Sequence, residues 1–230
     1  EIEDEVKFAK ETRGATTVEH LHKLGVLDEN FLAVHTVWLT DHEIELFAER
    51  GVKVSHNPAA AMRVLGFAKI PEMIDRGITV SIGTDGAPSN NRMTLIDEMW
   101  LTSLIHKGRL GDPSAMPAEQ ILKMATRQGA EAIGWADQIG SIEAGKKADL
   151  IVIDPDSAAM LPLNDPVAAL VTSMHSSNVE SVMCNGEWLM RERRILTVNE
   201  EEILSESKKR AAAIVERAGI DIPPRFPYAD

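Results

Sequence analysis

The sequence predicts an α/β protein in which parallel βα units are followed by a smaller β-rich part. In the first half, short apolar strands alternate with helices, which is the pattern of βα units joined by right-handed crossovers. Ionisable side chains stand at the ends of those strands. Beyond residue 138 turn-rich segments and a hairpin pattern take over. We therefore expect an α/β region over residues 1–138, a small β-rich domain over 139–198, and a C-terminal helix with a Pro-rich tail over 199–230.

Two helices and a strand are predicted at the start. Residues 3–12 begin with acidic residues, which the positive end of a helix dipole favours, and Gly14 ends this helix. A second helix starts at Thr17 and ends at Gly25. Residues 31–37 are apolar and rich in β-formers, which predicts a strand that contains His35.

Two further strand and helix pairs follow. Thr40 and Glu43 have the spacing of a capping box, so a helix should run from there to Gly51. Residues 52–55 form a short strand that leads into His56. The next helix has Pro71 in its first turn and ends at Gly77, and residues 78–82 alternate as a strand with one packed face.

The second half has a different pattern. Helices are predicted from Thr94 and from Pro117, the latter ending at Gly134. Asn185-Gly186 lies between two apolar runs, a strong hairpin signal. The remaining expected elements are a turn-rich hairpin over 140–149, strands over 150–153, 179–183 and 187–190, a helix that Asn199 caps and that runs to about 219, and a surface tail over 221–230.

The amino-acid composition argues against several classes of binding partner and cofactor site. The net charge of -12 argues against a nucleic-acid surface, because phosphate binding needs concentrated Lys and Arg. The single Cys184 excludes an internal disulfide and a Cys-rich metal site and favours a reducing compartment, so we expect a cytoplasmic protein. No apolar run approaches membrane-spanning length, so no membrane partner is expected.

His35, His56 and Asp85 lie at or near the ends of three consecutive predicted strands. Each alone could be structural: a lone strand histidine is more often a core residue, and Asp85 could simply form an Asx-turn. In a parallel sheet, however, the three ends meet on one face, where one carboxylate and two imidazoles could hold a divalent ion or share a proton. Ligand count is the weakness, because catalytic zinc normally has three or more protein ligands.

Four motifs together resemble those of the amidohydrolase superfamily. They are residues 33–39 around His35, the run Val54-Ser55-His56-Asn57-Pro58, the loop at 83–91 around Asp85, and the turn at 140–150. The branch resembled holds methylthioadenosine/S-adenosylhomocysteine deaminases, guanine deaminases and triazine hydrolases. The resemblance implies the C-terminal part of a (β/α)8 barrel, a small β-sandwich, and one divalent metal ion that activates water, Zn²⁺ before Fe.

The resemblance also implies residue roles. Asp85 would be a metal ligand that can take a proton from water, and His35 would stabilise the attacking hydroxide or the developing oxyanion. Glu1 matches a glutamate that shuttles protons to the ring and the leaving group. Ser89 matches a substrate-contacting position. His56 also belongs to a family motif, and we expect it to contribute to substrate binding by shaping the loop rather than to be catalytic.

The chain departs from the family pattern in ways that affect the expected function. The family's first-strand His-x-His pair and the histidine three residues before the glutamate are absent, so we expect a C-terminal half that is inactive alone. Ala59 to Ala61 replace the usual residues after His-Asn-Pro, which leaves the substrate open. The expected reaction is hydrolytic deamination of a purine-, pterin- or triazine-like small molecule. Dechlorination, dealkylamination and a metal-free scaffold are the alternatives, and a homo-oligomer stays open.

Overall fold

The computed structural model describes residues 2–221 and residue 223, and it has a mixed α/β fold. Two helices open it, α1 (Glu3–Arg13) and α2 (Thr17–Lys23), as the sequence predicts. The hydroxyl of Thr16 accepts a hydrogen bond from the Glu19 amide and so caps α2. Helix α1 ends at a glycine with φ of 67°, a conformation that side chains with a Cβ disfavour.

A three-stranded parallel sheet carries the centre of the molecule. Its strands are β1 (Leu32–Val34), β2 (Lys53–His56) and β3 (Val80–Ile82), in that spatial order. Helix α3 (Asp41–Arg50) connects β1 to β2, and α4 (Pro58–Val64) and α5 (Ile70–Asp75) connect β2 to β3. The parallel pairing confirms the predicted βα units and brings the three carboxyl ends to one edge.

Several element bounds differ from the prediction. The first strand ends at Val34 instead of continuing to residue 37, because His35 and Thr36 have φ of 68° and 52° and leave the extended conformation. A short helix, α6 (Ala87–Asn90), follows β3, and the sequence patterns predict neither it nor α4. After α7 (Leu95–Leu110), the single helix expected from Pro117 to Gly134 is broken at Thr126. The two pieces are α8 (Ala118–Ala125) and α9 (Arg127–Ala132).

An antiparallel sheet forms the second part. Its order is β4 (Leu150–Ile153), β5 (Val179–Cys184), β6 (Glu187–Arg191) and β7 (Arg194–Ile195). Asn185 and Gly186 have φ of 50° and 84°, which fits the predicted two-residue hairpin turn. The hairpin expected over 140–149 is wrong: this segment forms turns without a strand ladder.

Helices complete this part. Helix α10 (Pro166–Thr172), whose first turn is capped by the Asp165 carboxylate, packs against α7 and α8. Helix α11 (Glu200–Ala218) begins at the predicted Asn199 cap. The predicted surface path of the Pro-rich tail falls almost entirely outside the described residues. Among those residues, none of the helices combines the length and apolar character needed to cross a membrane.

One hydrophobic core runs from α2 through the parallel sheet to α10. Val54 and Val80 on adjacent strands are fully buried, as are Ile44 on α3 and Ile121 on α8. The core fixes the strands, so the residues that follow them are presented from a rigid base.

Candidate functional site

His35 and Asp85 meet where β1 and β3 end. The His35 Nε2 atom lies 3.9 Å from the Asp85 Oδ2 atom. The imidazole is almost completely buried, whereas the carboxylate remains partly open to solvent. The sheet thus brings together two of the residues that the sequence singled out, separated by 50 positions in the chain.

The backbone conformation sets the directions of the His35 and Asp85 side chains. His35 and Asp85 have φ of 68° and 61°, the left-handed region that non-glycine residues rarely adopt. The His35 amide donates to the carbonyl of Ser55 on β2 at 3.1 Å, which extends the ladder by one bond after the strand proper ends. The Gly86 amide donates to Asp85 Oδ1 at 2.5 Å. One carboxylate oxygen is therefore held by its own loop, and the other faces the imidazole.

Gly83 permits the close packing of this edge. A Cβ at that position would lie 2.7 Å from Asn57 Nδ2 and 2.9 Å from Ser55 Oγ, distances that real Cβ atoms do not reach. The glycine amide donates to the carbonyl of His56 at 2.9 Å, which holds the two strand ends together. The absence of a side chain thus lets the Asp85 loop lie directly against the His56-Asn57 segment.

A cavity of about 530 Å³ opens beside the carboxylate. Asp85 and Ser89 line it together with Pro88 and residues of α4, including Arg63. Ser89 lies on α6 and is exposed, so its hydroxyl is accessible from this cavity. The volume falls within the range of small-molecule sites.

The donor types at this edge suit a metal ion only in part. Zinc accepts carboxylate and imidazole ligands, and Asp85 and His35 supply one of each side by side. Within the described part of the chain, however, no group of three or more His, Cys, Asp or Glu side chains could hold a metal ion. The residues present therefore fit one side of a metal site. Glu1 lies outside the described residues.

His56 lies behind this edge, where it pairs with a histidine that the sequence does not single out. Its Nε2 atom is 3.4 Å from Nε2 of His106 on α7, and both rings are buried. Burial is the main reason that the pKa of His106 falls to about 4 and that the pKa of His56 lies well below its usual range. Both rings are therefore neutral near pH 7, and a bond between them requires that only one Nε2 carries a proton.

Glu98 and Asn90 also belong to this region, although sequence reasoning missed them as site residues. Glu98, on α7, is 1% exposed, whereas its place in the first helical turn suggests only a favourable interaction with the helix dipole. Its carboxylate accepts hydrogen bonds from Asn90 Nδ2 at 2.6 Å and from the Ala59 amide at 3.0 Å. Burial raises the pKa of Glu98, and the two donors oppose that change. A glutamate in the first turn of a helix is normally assigned to the solvent face, so its burial beside Met99 and Thr102 becomes visible only in the structure.

Known proteins resemble this chain in both sequence and structure. The model of the amidohydrolase family matches residues 1–189. The chain is 41% identical over 208 residues to a 5'-deoxyadenosine deaminase of Methanopyrus kandleri, covering 90% of this chain and 48% of that protein. It is 43% identical over 211 residues to a 5-methylthioadenosine/S-adenosylhomocysteine deaminase of Moorella thermoacetica, covering 91% and 49%.

Solved structures give a similar result. An adenosine deaminase from Xanthomonas campestris with bound zinc superposes with a TM-score of 0.91 at 30% identity, covering 93% of this chain and 49% of that one. An atrazine chlorohydrolase from Arthrobacter aurescens, complexed with zinc, gives 0.84 at 30% identity, covering 91% and 47%. The chain therefore spans about half the length of the relatives and structures it matches.

Proposed function

Because this chain belongs to the amidohydrolase family, we propose that it forms the C-terminal half of a metal-dependent hydrolase that deaminates a purine-like ring. In this proposal, β1 to β3 are consecutive strands of a (β/α)8 barrel within residues 1–138, and the antiparallel sheet is the small β-sandwich over 139–198. The supporting observation is the meeting of His35 and Asp85 at the carboxyl ends of parallel strands, where barrel enzymes carry their active sites.

The assigned roles follow from the contacts of each side chain. Asp85 would be a ligand of a divalent metal ion, and its carboxylate would also take a proton from the attacking water. His35, which is almost buried and lies 3.9 Å from Asp85 Oδ2, would orient the water and stabilise the charge on its oxygen during attack. Ser89 would bind the substrate from the adjoining cavity. We assign His56 a supporting position rather than a substrate contact, because its ring is buried against His106.

Zn²⁺ is the proposed metal, since similar solved structures carry it. Bound there, it would supply the Lewis acidity that brings the pKa of water towards about 7. In this proposal Asp85 is the metal ligand among the described residues, His35 acts on the water instead of binding the metal ion, and the other ligands would come from outside the described residues. Glu1 is proposed to move protons to the ring nitrogen and the leaving amine, as its match to the family motif implies.

The experiment expresses the complete reading frame that contains this chain. Ammonia release is measured with adenosine, 5'-deoxyadenosine, methylthioadenosine and S-adenosylhomocysteine, after metal removal and after zinc is restored. Asp85→Asn should lower kcat by about 10²-fold or more, as expected for loss of a group that moves a proton, and should also lower zinc content. Asp137→Asn, at an exposed position, is the matched control and should change neither.

Other outcomes would contradict parts of the proposal. Chloride release from a chlorinated triazine without ammonia release from any purine would make the protein a dechlorinase, the activity for which one structural neighbour is named. Full activity in Asp85→Asn would remove the assigned role of that residue. A folded protein that neither binds zinc nor turns over any of these compounds would favour the scaffold alternative.

A further inference from the structure

The buried carboxylate of Glu98 connects two loops at the edge where His35 and Asp85 meet. It accepts from the Ala59 amide, in the first turn of α4, and from the Asn90 side chain at the end of α6. The first contact fixes the loop after β2, and the second fixes the loop after β3. A carboxylate that is 1% exposed and bonded to two different loops holds them at a set separation.

Asn90 passes this constraint on to Asp85. Its Nδ2 atom also donates to the carbonyl of Thr84 at 2.8 Å, and Thr84 directly precedes the strained Asp85. Its Oδ1 atom accepts from the amides of Arg92 and Met93, at 2.9 and 3.0 Å. Both donor hydrogens and both lone pairs of the Asn90 side-chain amide are therefore in use, and the orientation of that group is fixed.

We propose that Glu98 is a positioning residue, which acts through Asn90 and Thr84 to keep the Asp85 carboxylate directed at His35. The proposal rests on the function proposed for Asp85. Glu98 itself does not line the cavity beside Asp85. These bonds matter because Asp85 has a φ of 61°, a conformation that costs energy for a residue other than glycine. The surrounding hydrogen bonds must therefore hold the backbone of Asp85 in this conformation.

The network requires a carboxylate at position 98 and an amide at position 90. In Glu98→Gln, one of the two donors would face the new NH₂ group, and Asn90 cannot turn its oxygen towards it without losing the Arg92 and Met93 amides. In Asn90→Asp, two carboxylates would face each other, and one would also face the Thr84 carbonyl.

The double variant Glu98→Gln/Asn90→Asp separates two effects of Glu98: its contribution to stability through the contact with position 90, and its proposed effect on the conformation of Asp85. The glutamine introduced on α7 would accept from the Ala59 amide and donate to the aspartate introduced on α6. The contact between α7 and the loop is then restored with its polarity reversed and the net charge unchanged. The Thr84 carbonyl, however, would face a carboxylate oxygen instead of a donor. The double variant therefore restores the contact between positions 98 and 90 but not the hydrogen bond from position 90 to the Thr84 carbonyl.

The test compares Glu98→Gln, the double variant and Glu119→Gln, an exposed glutamate on α8, in the complete zinc-loaded protein. We expect Glu98→Gln to lower kcat about 10- to 100-fold with little change in KM, as for loss of other outer-shell partners of a metal ligand. The double variant should recover the Tm but keep the low kcat. Hydrogen exchange at the Gly86 amide, which bonds to Asp85 Oδ1, should be faster in both than in Glu119→Gln.

Two results would overturn the proposal: recovery of kcat along with Tm in the double variant, or a Glu98→Gln variant that loses Tm but not kcat. If Glu98→Gln alone fails to fold, the double variant carries the test. Faster exchange at Gly86 in a protein without any hydrolase activity would remove the proposed function while leaving the positioning role of Glu98 intact, so the two failures are distinguishable.

Discussion

Acid should destabilise this protein through the buried His106. The ring has no solvent exposure and lies near the Arg109 guanidinium, and both effects favour the neutral imidazole in the native state, against a smaller opposing effect of Glu72. The pKa is 6.5 for an ordinary histidine and about 4 for His106 in the fold. Between these values the unfolded chain binds more protons than the native state, so the free energy of unfolding must fall as the pH falls.

The magnitude follows from the two pKa values. At 1.36 kcal/mol per pH unit, the difference corresponds to about 3 kcal/mol once both states are protonated, and to about 2 kcal/mol between pH 7 and pH 5. For a chain of this size, a loss of about 2 kcal/mol lowers the Tm by about 4 to 8 °C. The stabilisation is fully present above pH 6.5 and is gone below pH 4. Proton uptake by His56, whose pKa is also lowered, acts in the same direction.

The assay is urea unfolding between about pH 7.5 and 5 for the unmodified protein, His106→Gln and His42→Gln. Glutamine removes the titrating ring and can still bond to His56, so the His106→Gln curve should fall by about 2 kcal/mol less over this range. His42 is exposed on α3, and its replacement should leave the pH dependence unchanged. Parallel curves for His106→Gln and the unmodified protein would show that this ring is not the acid-sensitive group.

Two further predictions concern stability. Gly83→Ala should lower the free energy of unfolding by about 1–3 kcal/mol, because the new Cβ would clash with Asn57. Gly108→Ala should raise the free energy of unfolding by about 1 kcal/mol, because Gly108 lies inside α7 with open space around it and alanine favours the helix. Urea unfolding of both variants tests this prediction, and equal effects of the two substitutions would contradict it. Thr40→Ala should cost about 1 kcal/mol because its hydroxyl caps α3, and Thr94→Ala should cost less because the Thr94 side chain makes no cap bond; a larger loss at Thr94 in thermal melts would refute this reasoning.

Local patterns predicted most of the fold because the signals act over a few residues. The Thr40 capping box, the Asn185-Gly186 turn and the Asn199 cap all occur where the sequence places them. The errors arise where tertiary packing overrides periodicity. The apolar run at 31–37 looks like one strand, but the chain must turn at His35 to direct the imidazole into the site, and no local signal marks that change. Likewise, the helical pattern beyond Pro117 hides a break at Thr126.

The site residues divide in the same way. His35 and Asp85 could be selected from the sequence because ionisable groups at strand ends stand out against apolar surroundings. Glu98 and His106 could not, because a polar residue on a helix is normally assigned to the solvent face, and only the assembled structure reveals that α7 turns these two inward. Both act on residues that the sequence did single out: Glu98 reaches Asp85 through Asn90 and Thr84, and His106 contacts His56. Asp85, which lines the cavity, can be recognised from the sequence, whereas Glu98, which we propose stabilises its conformation, lies on helix α7. A search for functional residues in such a sheet should therefore include the helix that packs behind the strand ends, as well as the loops.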